Sequence, residues 1–370
     1  IDVAQSLQML VPGLHIRPKN GQFDYFDASL QGSRNQEILW LVDGVRITNR
    51  LYNGTSPLDT VSAHMIERIE VLKGGQGIFY GTQSVGGVMN IVTKSMQQEA
   101  DGEIGASTNT NSGYGANGYY RDGNEQFQFV AYASRDEADG YQPWRDADIE
   151  TSASERERGY EVTMAGVKFG FTPGENSLHY QRTENTLDFL RPYRNFKSLN
   201  EREEDILTLK YDLQLNDKLG LFVKAYRHNW DTHYTEIFNT LDVSGNVTGA
   251  LNYRSDNSFW GYEDDGINAM AKFGTDYGME YIAGFDRQQF SGTDEVWRIA
   301  SLEETVNAYY LQARTTEDMF GNTMLAIGAR RNNSSNSEAK TVWNISGKHN
   351  ITDKLYVQAN IGTSFRLPDA

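Results

Sequence analysis

The sequence predicts a large antiparallel transmembrane β-barrel that follows a smaller α+β domain. Apolar and polar residues alternate along most of the chain after residue 95, and tight connections alternate there with long polar ones. The chain combines 21 Tyr, 17 Phe, 6 Trp and 35 Gly with a mean hydropathy of -0.60, a mixture typical of many strands joined by short turns. Before residue 95 the pattern is mixed, so we place a domain boundary near residues 95–101.

The alternation has the period of a strand with one apolar face. In "LTLKYDLQL", residues 207–215, leucines and a tyrosine alternate with Thr, Lys, Asp and Gln. The stretches "QFQFVAYA" (126–133) and "LYVQANIGTSF" (355–365) repeat the pattern. Successive side chains of a strand point to opposite faces, so one face is apolar and the other is polar. Alternation alone fits a soluble sandwich as well as a membrane barrel.

Connection length distinguishes these two folds. Turn-forming residues cluster at residues 172–176, 215–219, 275–278, 318–322 and 351–355. Between them, long polar connections are predicted at residues 137–158, 189–204, 233–257, 291–303 and 332–339. Short turns at one rim and long loops at the other are typical of an outer-membrane barrel.

The length of the second segment predicts the number of strands. At about 20 residues for a strand and its connection, the chain after residue 95 holds about 13 strands. Because an odd number of antiparallel strands does not close a bacterial barrel, we expect further strands to follow residue 370. We also expect an incomplete N-terminus, since Ile1 is not a start methionine.

Composition excludes several classes of protein and site. The formal net charge of -16 disfavours binding to nucleic acid, which requires basic patches. No run approaches the roughly 20 apolar residues of a membrane-spanning helix. The chain has no cysteine, which excludes disulfides and thiolate metal sites. The six histidines are scattered, so we expect no metal site and no cofactor.

The first 95 residues carry three ordered motifs. They are "DVAQSLQMLVPGL" (2–14), "ASLQGSRNQEILWLVDGVRI" (28–47) and "IERIEVLKGGQGIFYGTQSVGGVMNIVTK" (66–94). Together they resemble the plug domain of TonB-dependent outer-membrane receptors, and "GTSFRLPDA" (362–370) resembles a strand motif from beyond the middle of that family's barrel. Ordered motifs over this length are more specific than any single glycine motif.

The resemblance implies a fold and a location. It implies an α+β plug domain inside an antiparallel transmembrane β-barrel of about 22 strands, of which about 13 are present here. Residues 1–97 would be the plug, without its TonB box, and residues 98–370 the N-terminal portion of the barrel, without its C-terminal strands. The location would be the outer membrane of a Gram-negative bacterium.

The resemblance also implies a function and partners. The function would be energised import of a scarce, large nutrient, most often a ferric siderophore, with an oligosaccharide or cobalamin as alternatives. The partners would be TonB with ExbB and ExbD in the inner membrane, outer-membrane lipid and lipopolysaccharide, and a small-molecule or oligosaccharide substrate. A passive porin or an outer-membrane enzyme would be a different class. The plug-like motifs disfavour the porin, and no serine has a recognisable nucleophile setting, so we expect no enzyme.

Two sets of site residues follow from the resemblance. Substrate contacts are expected from the plug apices and the outer barrel loops, where aromatic rings and arginines could stack on or pair with a ligand. These candidates are Phe23, Tyr25, Phe26, Arg50, Tyr52, Asn53, Trp144, Arg191, Tyr193, Arg194, Trp260 and Trp297. The residues expected to lock the plug to the barrel are Glu67, Arg68, Glu70 and Lys73. Lys73 stands where the family usually has Arg, which weakens that particular contact because lysine makes no bidentate bond.

Overall fold

The N-terminal part of the chain folds into a small mixed domain. A computed structural model describes residues 3–18, 21–51 and 58–368. The elements of this domain are α1 (Val3–Leu10), β1 (Leu14–Pro18), β2 (Phe26–Leu30), β3 (Ile38–Val42), β4 (Val45–Arg46), β5 (Ile66–Lys73), α2 (Gly77–Tyr80) and β6 (Gly87–Thr93). β1 pairs with β2, while the other strands form a sheet in the order β4-β3-β6-β5.

The core of this domain lies around β3. All five residues of β3, "ILWLV", are buried, as expected of a central strand that is covered on both faces. Trp40 packs edge to face against Phe26 with the ring centroids 5.6 Å apart. Val3 and Leu7 of α1 join the same core. Burial of these apolar side chains stabilises the domain by about 25 cal/mol per Å² of area removed from water.

The described residues from 101 to 368 include one antiparallel sheet of 13 strands in sequence order, which confirms the predicted fold class and strand number. The strands are β7 (Asp101–Thr108), β8 (Tyr114–Gly123), β9 (Phe127–Tyr141), β10 (Arg158–Phe171), β11 (Ser177–Pro192), β12 (Lys197–Asn216), β13 (Leu219–Leu241), β14 (Val247–Gly274), β15 (Met279–Asp294), β16 (Ile299–Thr315), β17 (Thr323–Ser334), β18 (Lys340–Thr352) and β19 (Leu355–Gly362). A short helix, α3 (Glu317–Phe320), connects β16 to β17. The sheet curves around the N-terminal domain, with β7 and β19 as its two edges.

The sheet has its apolar face outside and its polar face inside. On β12, Leu209 is 47% exposed and Tyr211 is 41% exposed, whereas Thr208, the inward-facing neighbour of Leu209, is 2% exposed. Gln181 and Thr183 of β11 are buried in the same way. This is the reverse of a soluble protein, and it matches a barrel whose outer face contacts lipid. The boundary between residues 97 and 98 remains a prediction.

Charges on the outer face show where the apolar zone ends. Beyond Leu207, the outward positions of β12 become Asp205, Glu203 and Glu201. Asp205 accepts a hydrogen bond from Arg182 of the neighbouring strand at 2.9 Å. Charged side chains are costly on the lipid face at the bilayer midplane and much less so near the interface. The strands therefore continue past the lipid zone. None of the helices in the described residues combines the length and the apolar character that crossing a membrane requires.

The two rims of the sheet differ, but less than the sequence predicts. The predicted tight turns lie together at one rim, here called the turn rim. At the opposite loop rim, most of the predicted long connections are continued strand. For example, β13 and β14 extend through residues 233–257 and leave only residues 242–246 between them. The prediction of a long loop there is wrong because the apolar alternation that marks a strand in the sequence disappears in this hairpin.

Buried ion pairs hold the N-terminal domain inside the sheet. Asp59 pairs with Arg202 of β12, and both side chains are fully buried. Arg202 also donates to the Tyr25 hydroxyl at 2.7 Å and to Thr232 Oγ1 at 2.9 Å. Its guanidinium carbon lies 4.0 Å from the ring centroid of Trp230. A buried charge is tolerated only when it is paired and its donors are satisfied, so this contact fixes the geometry of the interface.

Further contacts of this kind surround the domain. Asp43 accepts bonds from Lys168 at 2.8 Å and from Gln181 at 2.6 Å. Arg50 pairs with Glu304 of β16. The N-terminal domain is thus tied to strands on widely separated parts of the wall.

The structure differs from the prediction for most of the expected locking residues. Arg68 pairs with Glu70 on the same strand at 2.8 Å, and Asn90 donates to Glu70 at 2.9 Å. Lys73 donates to the carbonyl of Pro12 at 2.9 Å. These three contacts lie within the N-terminal domain because β5 is an edge strand of its sheet. Glu67 lies 3.2 Å from Arg121 of β8, and its locking role remains a prediction.

We expect Asp59→Asn to lower the free energy of unfolding by about 3–5 kcal/mol, because it leaves the buried Arg202 guanidinium without its counter-ion. Glu70→Gln is the control, since its exposed pair should contribute about 1 kcal/mol or less. Denaturant unfolding of the detergent-solubilised protein, followed by tryptophan fluorescence, measures both. Equal losses from the two variants would contradict the structural role of the buried pair.

Candidate functional site

The apex of the N-terminal domain reaches the inner wall of the sheet near the loop rim. It consists of residues 21–25, which precede β2. Phe23 adopts a positive φ of 50°, an uncommon conformation for a side chain of this size. Its ring packs on Tyr160 of β10 with the centroids 4.9 Å apart. This contact anchors one side of the apex to the wall.

Asp24 anchors the other side through two arginines. Its carboxylate accepts bonds from Arg191 of β11 at 2.5 and 3.3 Å and from Arg158 of β10 at 3.2 Å. Burial alone would raise the pKa of Asp24, but the Arg191 and Arg158 guanidiniums outweigh it and hold that pKa below its ordinary value. The carboxylate is therefore ionised at neutral pH and connects the apex to two adjacent strands.

A cavity of about 410 Å³ lies beside this apex, between the apex and the inner faces of the strands at the loop rim. Its lining combines aromatic rings with a few polar and charged groups, as ligand pockets commonly do. The lining residues are Tyr25, Arg191, Tyr193, Asn200, Tyr234, Glu236, Ser255, Trp260, Asp294, Val296 and Trp297.

The aromatic walls of the cavity support one another. Trp260 lies edge to face against Trp230 at 4.5 Å and against Tyr25 at 5.9 Å between centroids. Tyr193 stacks on Phe196 at 4.3 Å. Burial raises the pKa of Tyr25 despite the opposing Arg202 and Arg191 charges, so its hydroxyl stays protonated at neutral pH. These packed rings form a preformed surface for a planar or apolar ligand group.

Five of the residues predicted to contact the substrate line this cavity. Tyr25, Arg191, Tyr193, Trp260 and Trp297 all line it. Their role in binding a substrate remains a prediction.

The other candidates lie elsewhere or outside the description. Phe26 is buried against Trp40, and Arg50 is buried against Glu304 with its guanidinium over Phe290 at 5.2 Å. Phe23 contacts the wall, as described above. Trp144 and Arg194 contact each other at 4.7 Å near the loop rim and do not line the cavity. Tyr52 and Asn53 lie outside the described residues.

Sequence reasoning missed several lining residues. These are Asn200, Tyr234, Glu236, Ser255, Asp294 and Val296. Tyr234 and Glu236 continue the inward positions of Trp230 and Thr232 along β13. Extending the alternation into the predicted loop at residues 233–257 would have placed them on the inner face. Among the described residues, no three histidine or carboxylate side chains are grouped so that they could hold a metal ion.

Family comparisons agree with the two parts of the fold. Residues 1–88 match the TonB-dependent receptor plug domain, and residues 140–370 match the TonB-dependent receptor-like β-barrel. The chain belongs to the TonB-dependent receptor family. The N-terminal domain is therefore the plug, the curved sheet is part of the receptor barrel, and the protein lies in the outer membrane of a Gram-negative bacterium.

Relatives of this receptor are distant in sequence. The vitamin B12 transporter BtuB of Vibrio vulnificus is 21% identical over 372 residues, which cover 97% of this chain and 56% of that protein. The siderophore receptor PirA of Acinetobacter baumannii superposes with a TM-score of 0.75 at 14% identity, covering 100% of this chain and 59% of PirA. A mutant of the ferric enterobactin receptor PfeA of Pseudomonas aeruginosa superposes with a TM-score of 0.77 at 14% identity, covering 100% of this chain and 60% of PfeA. The chain thus spans a little over half the length of these proteins.

The Asp24 contacts of this receptor should make its stability depend on pH. Asp24→Asn removes the carboxylate that two guanidiniums share, so we expect a loss of about 3–5 kcal/mol at pH 7. Because the folded pKa of Asp24 is lowered, the stabilisation is present above the ordinary Asp pKa of about 3.9 and is lost as the pH falls through the lower folded value. The difference between the variant and the unchanged receptor should therefore shrink in acid.

Denaturant unfolding at a series of pH values measures this difference. Asp256→Asn, at an exposed carboxylate, is the control and should have little effect at any pH. A loss for Asp24→Asn that is the same at every pH would argue against ionic anchoring of the apex.

Proposed function

We propose that the chain is part of a receptor that binds a ferric siderophore at the cell surface and imports it into the periplasm. The observation that carries this proposal is the aromatic cavity between the plug apex and the barrel wall at the loop rim. Its position suits a ligand that enters from outside, because the long connections of outer-membrane barrels face the cell exterior. The solved structures named above, a siderophore receptor and a ferric enterobactin receptor, support the choice of ligand.

The plug would couple ligand binding to transport. The apex contacts the cavity through Tyr25 and the barrel through Asp24, so a bound ligand lies against a part of the plug that is held by ion pairs. TonB, with ExbB and ExbD, would supply the energy that moves the plug. Transport in this scheme breaks no covalent bond in the substrate, and we assign no catalytic role to the cavity. Outer-membrane lipid and lipopolysaccharide would surround the apolar outer face.

Cobalamin is the second candidate ligand. It is favoured by the curated relatives named as vitamin B12 transporters, which cover almost the whole of this chain. Cobalamin is also large, and aromatic walls could contact its planar macrocycle. These transporters are more similar in sequence, at 21–22% identity, than the solved siderophore receptors, at 14%. We place cobalamin second because the family most often imports ferric siderophores. An oligosaccharide remains a further alternative from the same transporter class.

Binding to the purified receptor distinguishes these ligands. Isothermal titration with ferric enterobactin, a ferric trihydroxamate and cyanocobalamin should give saturable binding for a ferric siderophore and none for cyanocobalamin. Binding of cyanocobalamin without binding of a ferric siderophore would identify cobalamin as the ligand instead. Import is then tested by measuring the uptake of the same radiolabelled ligands by cells with and without the receptor gene. Uptake that does not depend on TonB would contradict the proposal that TonB supplies the energy for transport.

Trp297→Ala should weaken binding of the imported ligand by about tenfold or more, because tryptophans that line a pocket often dominate binding energy. The side chain is 64% exposed, so its removal should leave the fold intact. Trp343→Ala is the matched control, since Trp343 lies on the outer face of β18. Equal ligand affinities of the Trp297 variant and the unchanged receptor would show that Trp297 does not contribute to binding.

A further inference from the structure

One carboxylate in the cavity lacks a counter-ion. Asp294 ends β15 and is 2% exposed. It accepts a hydrogen bond from the backbone N–H of Trp297 at 2.8 Å. No Lys, Arg or His of the described residues forms an ion pair with it. A buried carboxylate without a cation carries a desolvation cost that a ligand could offset.

The other charges of the cavity lining are already paired. The Arg191 guanidinium is directed at Asp24 and bonded to it at 2.5 Å. Glu236 pairs with Arg254 and accepts a bond from the Tyr234 hydroxyl at 2.9 Å. Asp294 therefore contributes the one uncompensated negative charge among the described lining residues.

Aromatic rings share the cavity with this carboxylate. Trp260 is the cross-strand partner of Asp294 in the β14–β15 ladder, and Trp297 follows three residues later. Tyr193 and Tyr234 line the same cavity. The face of an aromatic ring attracts a cation, most strongly when the ring is tryptophan and water is excluded. A carboxylate among tryptophans and tyrosines is thus suited to an organic cation.

A metal ion fits this arrangement poorly. Calcium takes about six to eight oxygen ligands, and magnesium requires near-octahedral oxygen geometry. The described residues contain no group of three carboxylate or histidine side chains at the cavity. The aromatic rings offer no ligand to a hard cation, whereas they favour an ammonium or guanidinium group.

We propose that the cavity recognises a positively charged organic group, an ammonium or a guanidinium, with Asp294 as its counter-ion and Trp260 and Trp297 as its aromatic walls. As a statement about cargo, this rests on the proposed function, since the group would be a substituent of the imported ligand. At the apex end, Arg158 and Arg191 share the single carboxylate of Asp24, which leaves one positive charge in excess. The ligand would therefore orient with its cationic group toward Asp294 and its anionic part toward Arg191.

The first test uses a small cation alone. Titration of the purified receptor in detergent with choline, followed by tryptophan fluorescence, should show saturable binding. The carbon isostere of choline, in which a tert-butyl group replaces trimethylammonium, has the same shape without the charge and should bind about tenfold more weakly. Asp294→Asn should reduce the preference for choline to the smaller contribution of the aromatic rings, whereas Asp256→Asn, at an exposed carboxylate outside the cavity, should leave it unchanged.

Equal binding of choline and its isostere by the unchanged receptor, or no binding of either, would overturn the proposal. The isostere also tests the fold of the Asp294 variant, because a folded variant should bind this uncharged compound as well as the unchanged receptor does. Loss of heat-modifiable migration on a gel would reveal that the Asp294→Asn variant is misfolded. Asp294→Glu, which retains the charge, would then be used in its place and should keep a preference for choline.

The second test asks whether the cation belongs to the cargo. Two ferric trihydroxamates that differ only in one pendant ammonium, free in one and acetylated in the other, should differ about tenfold in affinity, and Asp294→Asn should reduce the difference. Choline should compete with the ammonium form. If choline binds selectively but neither ferric chelate nor ferric enterobactin binds, the ferric-siderophore assignment fails and the cation site stands. If both chelates bind with equal affinity, the import assignment stands and the cation site fails as a cargo site.

Discussion

The fold depends on burying charges between the plug and the barrel wall without leaving them unpaired. The residues of a membrane barrel strand alternate between an apolar outer face and a polar inner face. The plug must therefore fill a polar interior. Asp59 with Arg202, Asp43 with Lys168, and Asp24 with its two arginines meet that requirement. Because each pair needs a particular geometry, the contacts fix where the plug lies more effectively than they stabilise it.

This constraint also builds the cavity. Arg202 binds Asp59 and at the same time donates to the hydroxyl of Tyr25, which places that ring on the cavity wall. Arg191 lines the cavity and binds Asp24 of the plug. The residues that retain the plug are therefore bonded to, or identical with, residues that a ligand would contact. Such sharing gives ligand binding a physical route to the plug, because a ligand that attracts Arg191 competes with Asp24.

The sequence predicts the barrel well because each strand can be recognised from the alternation of neighbouring residues. The alternation around Leu209 has a period of two and persists through most strands, so strand number and face follow from neighbouring residues. The plug follows from ordered motifs rather than from such a period. The ends of the strands beyond the membrane are not predicted, because apolar and polar residues no longer alternate regularly around Tyr234 and Glu236.

The site is predicted only in part. Trp260 and Arg191 are found by residue type, because aromatic rings and arginines are common in ligand sites. Tyr25 and Phe26 are adjacent and similar, yet one lines the cavity and the other lies in the plug core. Tyr25 lies in the apex that precedes β2, whereas Phe26 is the first residue of β2 and faces the plug core. The partners Asp59 and Arg202 are 143 residues apart, and only the three-dimensional register brings them together.

A structure of the receptor with a bound ferric siderophore tests the central claim most directly. The account predicts that the ligand occupies the cavity beside the plug apex, in contact with Tyr25, Trp260 and Trp297 and within reach of Arg191. A ligand that bound only to the outermost connections, or at the turn rim on the opposite side of the plug, would contradict it.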